Sequence, residues 1–205
     1  MPRHGRPAPA AIWWLAGWLA LTCPSAARAG KPPDQTHLAD ASLHSITAVN
    51  AQTLWAVGDR GAIWHTADAG LTWELQSSGV DNTLRCVQFI DRDHGFAAGG
   101  FQRPHSRTSV GVLLRTADGG RSWQRVEQPL LPALRCIRFF DADNGWALGE
   151  NTDTFATGLF ATDDGGRSWA PISASDGNHW QAIDFAHPHF GALAGARGQT
   201  SILRR

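Results

Sequence analysis

Three eight-residue stretches, TADAGLTW (66–73), TADGGRSW (116–123) and TDDGGRSW (162–169), share the pattern T-x-D-x-G-x-[ST]-W. A second pattern runs ahead of them. It is clearest in LRCVQFIDRDHGFAAG (84–99) and LRCIRFFDADNGWALG (134–149), and weaker in LHSITAVNAQTLWAVG (43–58) and WQAIDFAHPHFGALAG (180–195). The starts of these four segments lie 41, 50 and 46 residues apart. A recurrence of that length, filled with several short strands, is the signature of a propeller built from one four-stranded sheet per repeat. The chain is therefore read as all-β: a propeller-like array of about four four-stranded blades over 43–83, 84–133, 134–179 and 180–205, the last blade incomplete.

Each repeat parses into strands and turns. In the second, RCVQFI (85–90) is apolar and β-branched, DRDHG (91–95) turns, FAAGG (96–100) returns, GVLLRT (111–116) is a third strand and WQRVEQ (123–128) a fourth. The tryptophan pattern then falls in the hairpin between the third and fourth strands. Asp68, Asp118 and Asp164 are expected to accept bonds from backbone N–H groups there, and Gly70, Gly120 and Gly166 to supply unusual backbone angles. Trp73, Trp123 and Trp169 are expected to pack their rings into or between blades. Three acids in three separate turns cannot converge on one substrate, so the motif reads as architecture. No segment from residue 30 onward shows a helical period.

The hairpin pattern resembles the Asp-box, or BNR, repeat of sialidases, sortilin-type receptors and some glycosidases. Joined to the F-x-D-x-x-x-G-[FW]-A-x-G strand pair, it more closely resembles the photosystem II stability/assembly factor-like propellers. That resemblance covers residues 43 to 205. It implies an exported binding protein that helps assemble a membrane complex and uses a basic patch to do so. This chain departs from that family in having room for fewer blades. A closed four-bladed ring, an open arc completed by a partner and a truncated reading frame all remain open at this level.

Enzymatic chemistry finds little support. The chain has no tyrosine, which excludes the tyrosine nucleophile that a sialidase would need. Glycosidases of other kinds use two facing carboxylates; candidates are Asp91, Asp93, Asp141, Asp143, Glu150 and Asp153, and the first four sit in turn sequences. D-x-D-x-G resembles part of a calcium loop but lacks its remaining ligands. HPH (187–189) offers two histidines without further ligands at matching spacing. No nucleophile elbow, phosphate loop or dinucleotide fingerprint occurs. Neither a cofactor nor a metal is expected.

Eighteen basic and eighteen acidic side chains balance, which argues against a nucleic-acid partner. At the N-terminus, Arg3 and Arg6 precede the apolar AAIWWLAGWLALT (10–22), and ARA (27–29) resembles a cleavage site. Residues 1–29 are read as a cleaved export signal with a periplasmic destination, 30–42 as a linker; retention as an anchor is the alternative. Cys23 would leave with the leader. Cys86 and Cys136 occupy identical repeat positions, so they are expected too far apart to bridge and to remain buried free thiols.

The arginines complete the reading. Loops into first strands and loops between second and third strands open on one face of a propeller. Arg85 and Arg135 start first strands, and Arg60, Arg103, Arg107 and Arg197 lie in second-to-third loops. These six are the candidate binding residues, suited to carboxylates, unless neighbouring acids such as Asp59 and Glu150 neutralise them. The expectation is a non-enzymatic exported propeller. It would bind a protein or peptide, such as an acidic segment of a membrane protein, and so reach the membrane only through its partner. The alternative is a carbohydrate-binding or glycosidase-like Asp-box propeller with Trp146 and Trp180 as sugar platforms.

Overall fold

The computed structural model describes residues 40–103, 108–127, 131–155, 157–172, 180–187, 190–195 and 200–204. Packing divides the chain between Asp34 and Gln35, and every described residue lies in the unit Gln35–Arg205.

Among the described residues, fifteen strands form four antiparallel sheets. The first holds β1 (Leu43–Ala48), β2 (Leu54–Gly58), β3 (Ile63–Thr66) and β4 (Glu74–Gln76). The second holds β5 (Thr83–Phe89), β6 (Gly95–Gln102), β7 (Ser109–Thr116) and β8 (Gln124–Arg125). The third holds β9 (Leu134–Phe139), β10 (Gly145–Gly149), β11 (Leu159–Thr162) and β12 (Ala170–Pro171). The fourth has β13 (Trp180–His187), β14 (Phe190–Gly195) and β15 (Thr200–Arg204). Each sheet is a plain meander in sequence order. The expected fourth strand at 123–128 shrinks to two residues, because only Gln124 and Arg125 find ladder partners, Arg115 and Leu114.

The blades pack face to face, and a repeated aromatic arrangement fills each seam. At the first seam Trp55 of β2 stacks on Phe89 at 3.8 Å between centroids. At the second, Phe96 of β6 stacks on Phe139 at 3.7 Å. At the third, Trp146 of β10 meets Phe185 at 5.2 Å, tilted. Three apolar clusters follow these seams, each drawing residues from two consecutive blades. The glycine of the F-x-D-x-x-x-G pattern has a simple cause here. A Cβ on Gly95 or Gly145 would meet the ring of Phe89 or Phe139 at 2.7 and 2.6 Å, so the bare backbone is what lets the ring lie down.

The Asp-box tryptophans reach the seam with the preceding blade: Trp123 donates its Nε1–H to Gln76 Oε1 of β4 at 3.2 Å, and Trp169 packs against the cluster that holds Phe96 and Leu113. Each also meets a ring of its own blade edge-on, Trp123 with Phe89 at 5.9 Å and Trp169 with Phe139 at 6.1 Å. Trp123 is 8% exposed, but Trp73 is 38% exposed. The expectation of buried rings at all three positions therefore fails at Trp73, because among the described residues no blade precedes the first. The same logic leaves Leu43 and Ile46 of β1 52% and 61% exposed, and Ile202 on the far side of the fourth sheet 61% exposed. The first and fourth sheets thus each present exposed apolar side chains.

Candidate functional site

The Asp-box hairpins repeat bond for bond. Thr66, Thr116 and Thr162 donate their hydroxyls to Asp68, Asp118 and Asp164 at 2.7, 2.8 and 2.9 Å. Each aspartate also accepts from the backbone N–H and the hydroxyl of the residue four positions on, Thr72, Ser122 or Ser168. These donors, the hydroxyl four residues on foremost, pull the three carboxyls down to about 2. Gly70, Gly120 and Gly166 have φ of 88, 80 and 86°, a conformation that favours glycine. Each hairpin then ties to the first turn of its own blade: the N–H groups of Ala69, Gly119 and Gly165 donate to the carbonyls of Gln52, Asp93 and Asp143.

Those first turns account for four more acids. Asp91 accepts from the N–H groups of Asp93 and His94, and Asp141 from those of Asp143 and Asn144. Backbone donation holds both carboxyls below the ordinary range. Glu150 is buried and receives Gln102 Nε2 at 3.2 Å. Asp153 sits exposed in the loop before Phe155, apart from these turns. The carboxylates that could serve a glycosidase are thus divided among separate turns and a loop. No group of three or more His, Cys, Asp or Glu side chains suited to a metal occurs among the described residues. Of the two histidines in HPH, His187 ends β13 and His189 falls outside the described residues.

The meander places the β2–β3 and β6–β7 connections and the lead-ins to β5 and β9 at the opposite end from the Asp-boxes. Here the six arginines part company. Arg85, Arg103 and Arg135 are exposed, and their guanidinium groups carry no ion pair among the described residues. Arg60, at φ 55° in a single 3-10 turn, pairs with Asp40 at 2.6 Å. Arg107 and Arg197 lie outside the described residues.

Asp59 does not pair with an arginine as the sequence allows. It receives His44 Nε2 at 2.9 Å and the Thr83 hydroxyl at 3.1 Å, and the bond from His44 leads in lowering its carboxyl. His44 stands where Arg85 and Arg135 stand in the next two repeats, and Gln181 takes that position in the fourth. The rim is thus mixed, with acids interleaved among the arginines.

Between the second and third blades this rim opens into a cleft of about 440 Å³. Its apolar walls are Val110, Leu131, Pro132 and Phe155, with Arg103 and Asp153 at its edge. The segment leading to β9 lies directly on the second blade, because the Gly111 N–H donates to Leu131 O at 2.8 Å and the Ala133 N–H to Ser109 Oγ at 3.0 Å. Two residues after Ala133 comes the exposed Arg135. Phe155 belongs to neither repeated pattern; its only signals in the sequence are the length of the NTDTFATG connection and its one aromatic residue.

Two wider clefts, about 840 and 590 Å³, lie at the Asp-box end. Thr116, Asp118 and Ser122, already bonded to one another, form part of the smaller one, and Asp118 also borders the larger. The suggested sugar platforms are unavailable: Trp146 and Trp180 are 4% and 2% exposed, buried as seam residues. Among the described residues no helix is long and apolar enough to cross a membrane.

No protein-family model matches the chain, and no curated protein matches it. Solved structures do. The structure of YCF48 bound to D1 peptide superposes with a TM-score of 0.61 at 19% identity, covering 80% of this chain and 50% of that one. An ancestral GH74 enzyme superposes with a TM-score of 0.57 at 14% identity, covering 77% and 22%. YCF48 from Cyanidioschyzon merolae matches with a TM-score of 0.44 at 14% identity. The chain spans half the length of the peptide-bound YCF48 structure. At these identities the likeness is one of fold: this chain shares the propeller architecture of the photosystem II assembly factor-like proteins that its sequence resembles.

Proposed function

We propose that this chain is a non-enzymatic binding propeller that takes an extended protein segment at the rim of its second and third blades. The observation carrying the reading is the cleft there, with an apolar floor of Val110, Leu131, Pro132 and Phe155 and Arg103 at its edge, while the exposed Arg85 and Arg135 stand on strands β5 and β9 of the same two blades. Apolar walls bury side chains of an extended segment, and exposed guanidinium groups fit its carboxylates bidentately. An acidic segment of a membrane or envelope protein undergoing assembly suits both features. The fold likeness to YCF48 bound to D1 peptide supports a peptide ligand.

The export signal at residues 1–29 would bring the protein to the periplasm, with membrane association only through the partner. Intact mass of the recovered protein tests that part: the chain should start at Gly30, without acyl groups.

The binding test is a pull-down from detergent-solubilised membranes with the wild-type protein and an Arg85→Ala/Arg135→Ala variant. The variant should melt as the wild type does, because both side chains are exposed, yet recover several-fold less partner, with the larger difference at low salt. Equal recovery by both proteins would show the arginines to be ordinary surface. Retention of soluble glucans, or release of sugar from them, would move the reading to the carbohydrate-active class that the GH74 likeness represents.

A further inference from the structure

We propose that Cys86 and Cys136 are a dithiol poised to close into a disulfide between the second and third blades. Repeat position argues against a bridge, since equivalent residues of neighbouring units usually stand well apart. The innermost strands are the exception. β5 and β9 run side by side, and their thiols come within 4.0 Å, sulfur to sulfur. Both cysteines are half-buried and free.

Their surroundings separate the two sulfurs chemically. The Ile137 N–H donates to Cys86 Sγ at 3.4 Å. Both sulfurs also lie 3.8 Å from Ile137 O. The contact between the two thiols, and then the Ile137 backbone, lowers Cys86, whereas the same contact and burial raise Cys136. The Ile137 N–H directed at Cys86 Sγ favours that thiolate, which makes Cys86 the nucleophile and Cys136 the resolving thiol. Closure requires the sulfurs to move from 4.0 Å to about 2.05 Å, chiefly by rotation of the two side chains.

The oxidant is a small-molecule disulfide such as oxidised glutathione. The Cys86 thiolate attacks one of its sulfurs, breaking that S–S bond, forming a mixed disulfide and expelling one glutathione thiolate. Cys136 then gives up its proton and attacks the Cys86 sulfur, which expels the second. Two electrons pass from the cysteine pair to glutathione, and the protons lost by Cys86 and Cys136 end on the two glutathione thiols. The bond ties together the two strands that also carry Arg85 and Arg135, one residue before each cysteine.

The test equilibrates the full chain in glutathione buffers of rising oxidation, with diamide as a second oxidant. The reaction is acid-quenched and the disulfides are assigned by peptide mass mapping, which keeps any product of Cys23 apart. The expected product is a Cys86–Cys136 link within monomers that dithiothreitol reverses. It should form about tenfold or more readily in the native protein than in the urea-denatured chain, where only chain flexibility brings the thiols together. Its Tm should rise by several degrees, because the link closes a long loop. Cys86→Ser and Cys136→Ser should each lose both the link and the oxidant-dependent Tm rise. Thiols that stay free under both oxidants, a link no more frequent in the native than in the denatured chain, or bridges only between molecules or to Cys23 would overturn the assignment.

Discussion

Gln88 of β5 bonds to Phe139 of β9 from both ends of its amide. Its Nε2 donates to Phe139 O at 2.7 Å, and its Oε1 accepts the Phe139 N–H at 2.7 Å. One side chain thus stands in for the backbone of an adjacent strand, satisfying both groups of a residue on the inner edge of the next blade. Gln88→Ala should lower stability by roughly 1–3 kcal/mol, the worth of two such bonds. Gln88→Glu should be at least as harmful at neutral pH, since a carboxylate cannot donate to Phe139 O, and should recover as acid protonates it. Chemical denaturation of the two variants across pH checks both statements.

The tryptophans of the three Asp-boxes share a motif but not a burden. Trp123 fills the first seam against Phe89, so Trp123→Ala should cost roughly 3–5 kcal/mol. Trp73, with no blade before it among the described residues, is 38% exposed, and Trp73→Ala should cost less than about 1 kcal/mol. Equal losses in urea titrations would contradict the backward-packing rule.

Acid should unfold the hairpins in a defined window. Asp68, Asp118 and Asp164 titrate at about 2 in the folded chain, below the ordinary aspartate value of about 3.9 in an unfolded one. Their contribution is present above the unfolded value and disappears as pH falls through the folded one. Thermal melts between those limits should show Tm dropping with pH. Asp118→Asn, which keeps an acceptor but does not titrate, should show a shallower drop. A variant slope matching the wild type would remove Asp118 from the account.

Ala69 has φ of 61°, where the other two hairpins place Gly119 and Gly165 at 69 and 73°. An L-residue in that region is strained by about 1 kcal/mol. Ala69→Gly should therefore leave stability unchanged or raise it by up to about 1 kcal/mol, the gain being offset by added freedom of the unfolded chain. Gly119→Ala should destabilise by about 1 kcal/mol or more, since its Cβ would also sit 3.1 Å from Arg92 O. Differential denaturation should show a loss for Gly119→Ala and none for Ala69→Gly.

Much of this protein is legible in one dimension because its determinants are local. T-x-D-x-G-x-[ST]-W folds its own hairpin from donors and acceptors within seven residues of one another, and Phe89 with Gly95 makes a ring and its seat within a single strand pair. Repetition then assigns the hairpin three times and the leading strand pair four times, which is why strand order could be read from spacing. Relations between blades are not written that way. Whether Trp73 is covered, whether Cys86 reaches Cys136, whether Arg60 meets Asp40 rather than Asp59, and how Phe155 joins Leu131 and Pro132 around a cleft all depend on how one repeat is rotated against the next. That rotation is set by the summed packing of seam residues far apart in sequence. Identical repeat positions can therefore end exposed on the first blade, buried within a seam, or 4.0 Å from their own counterpart.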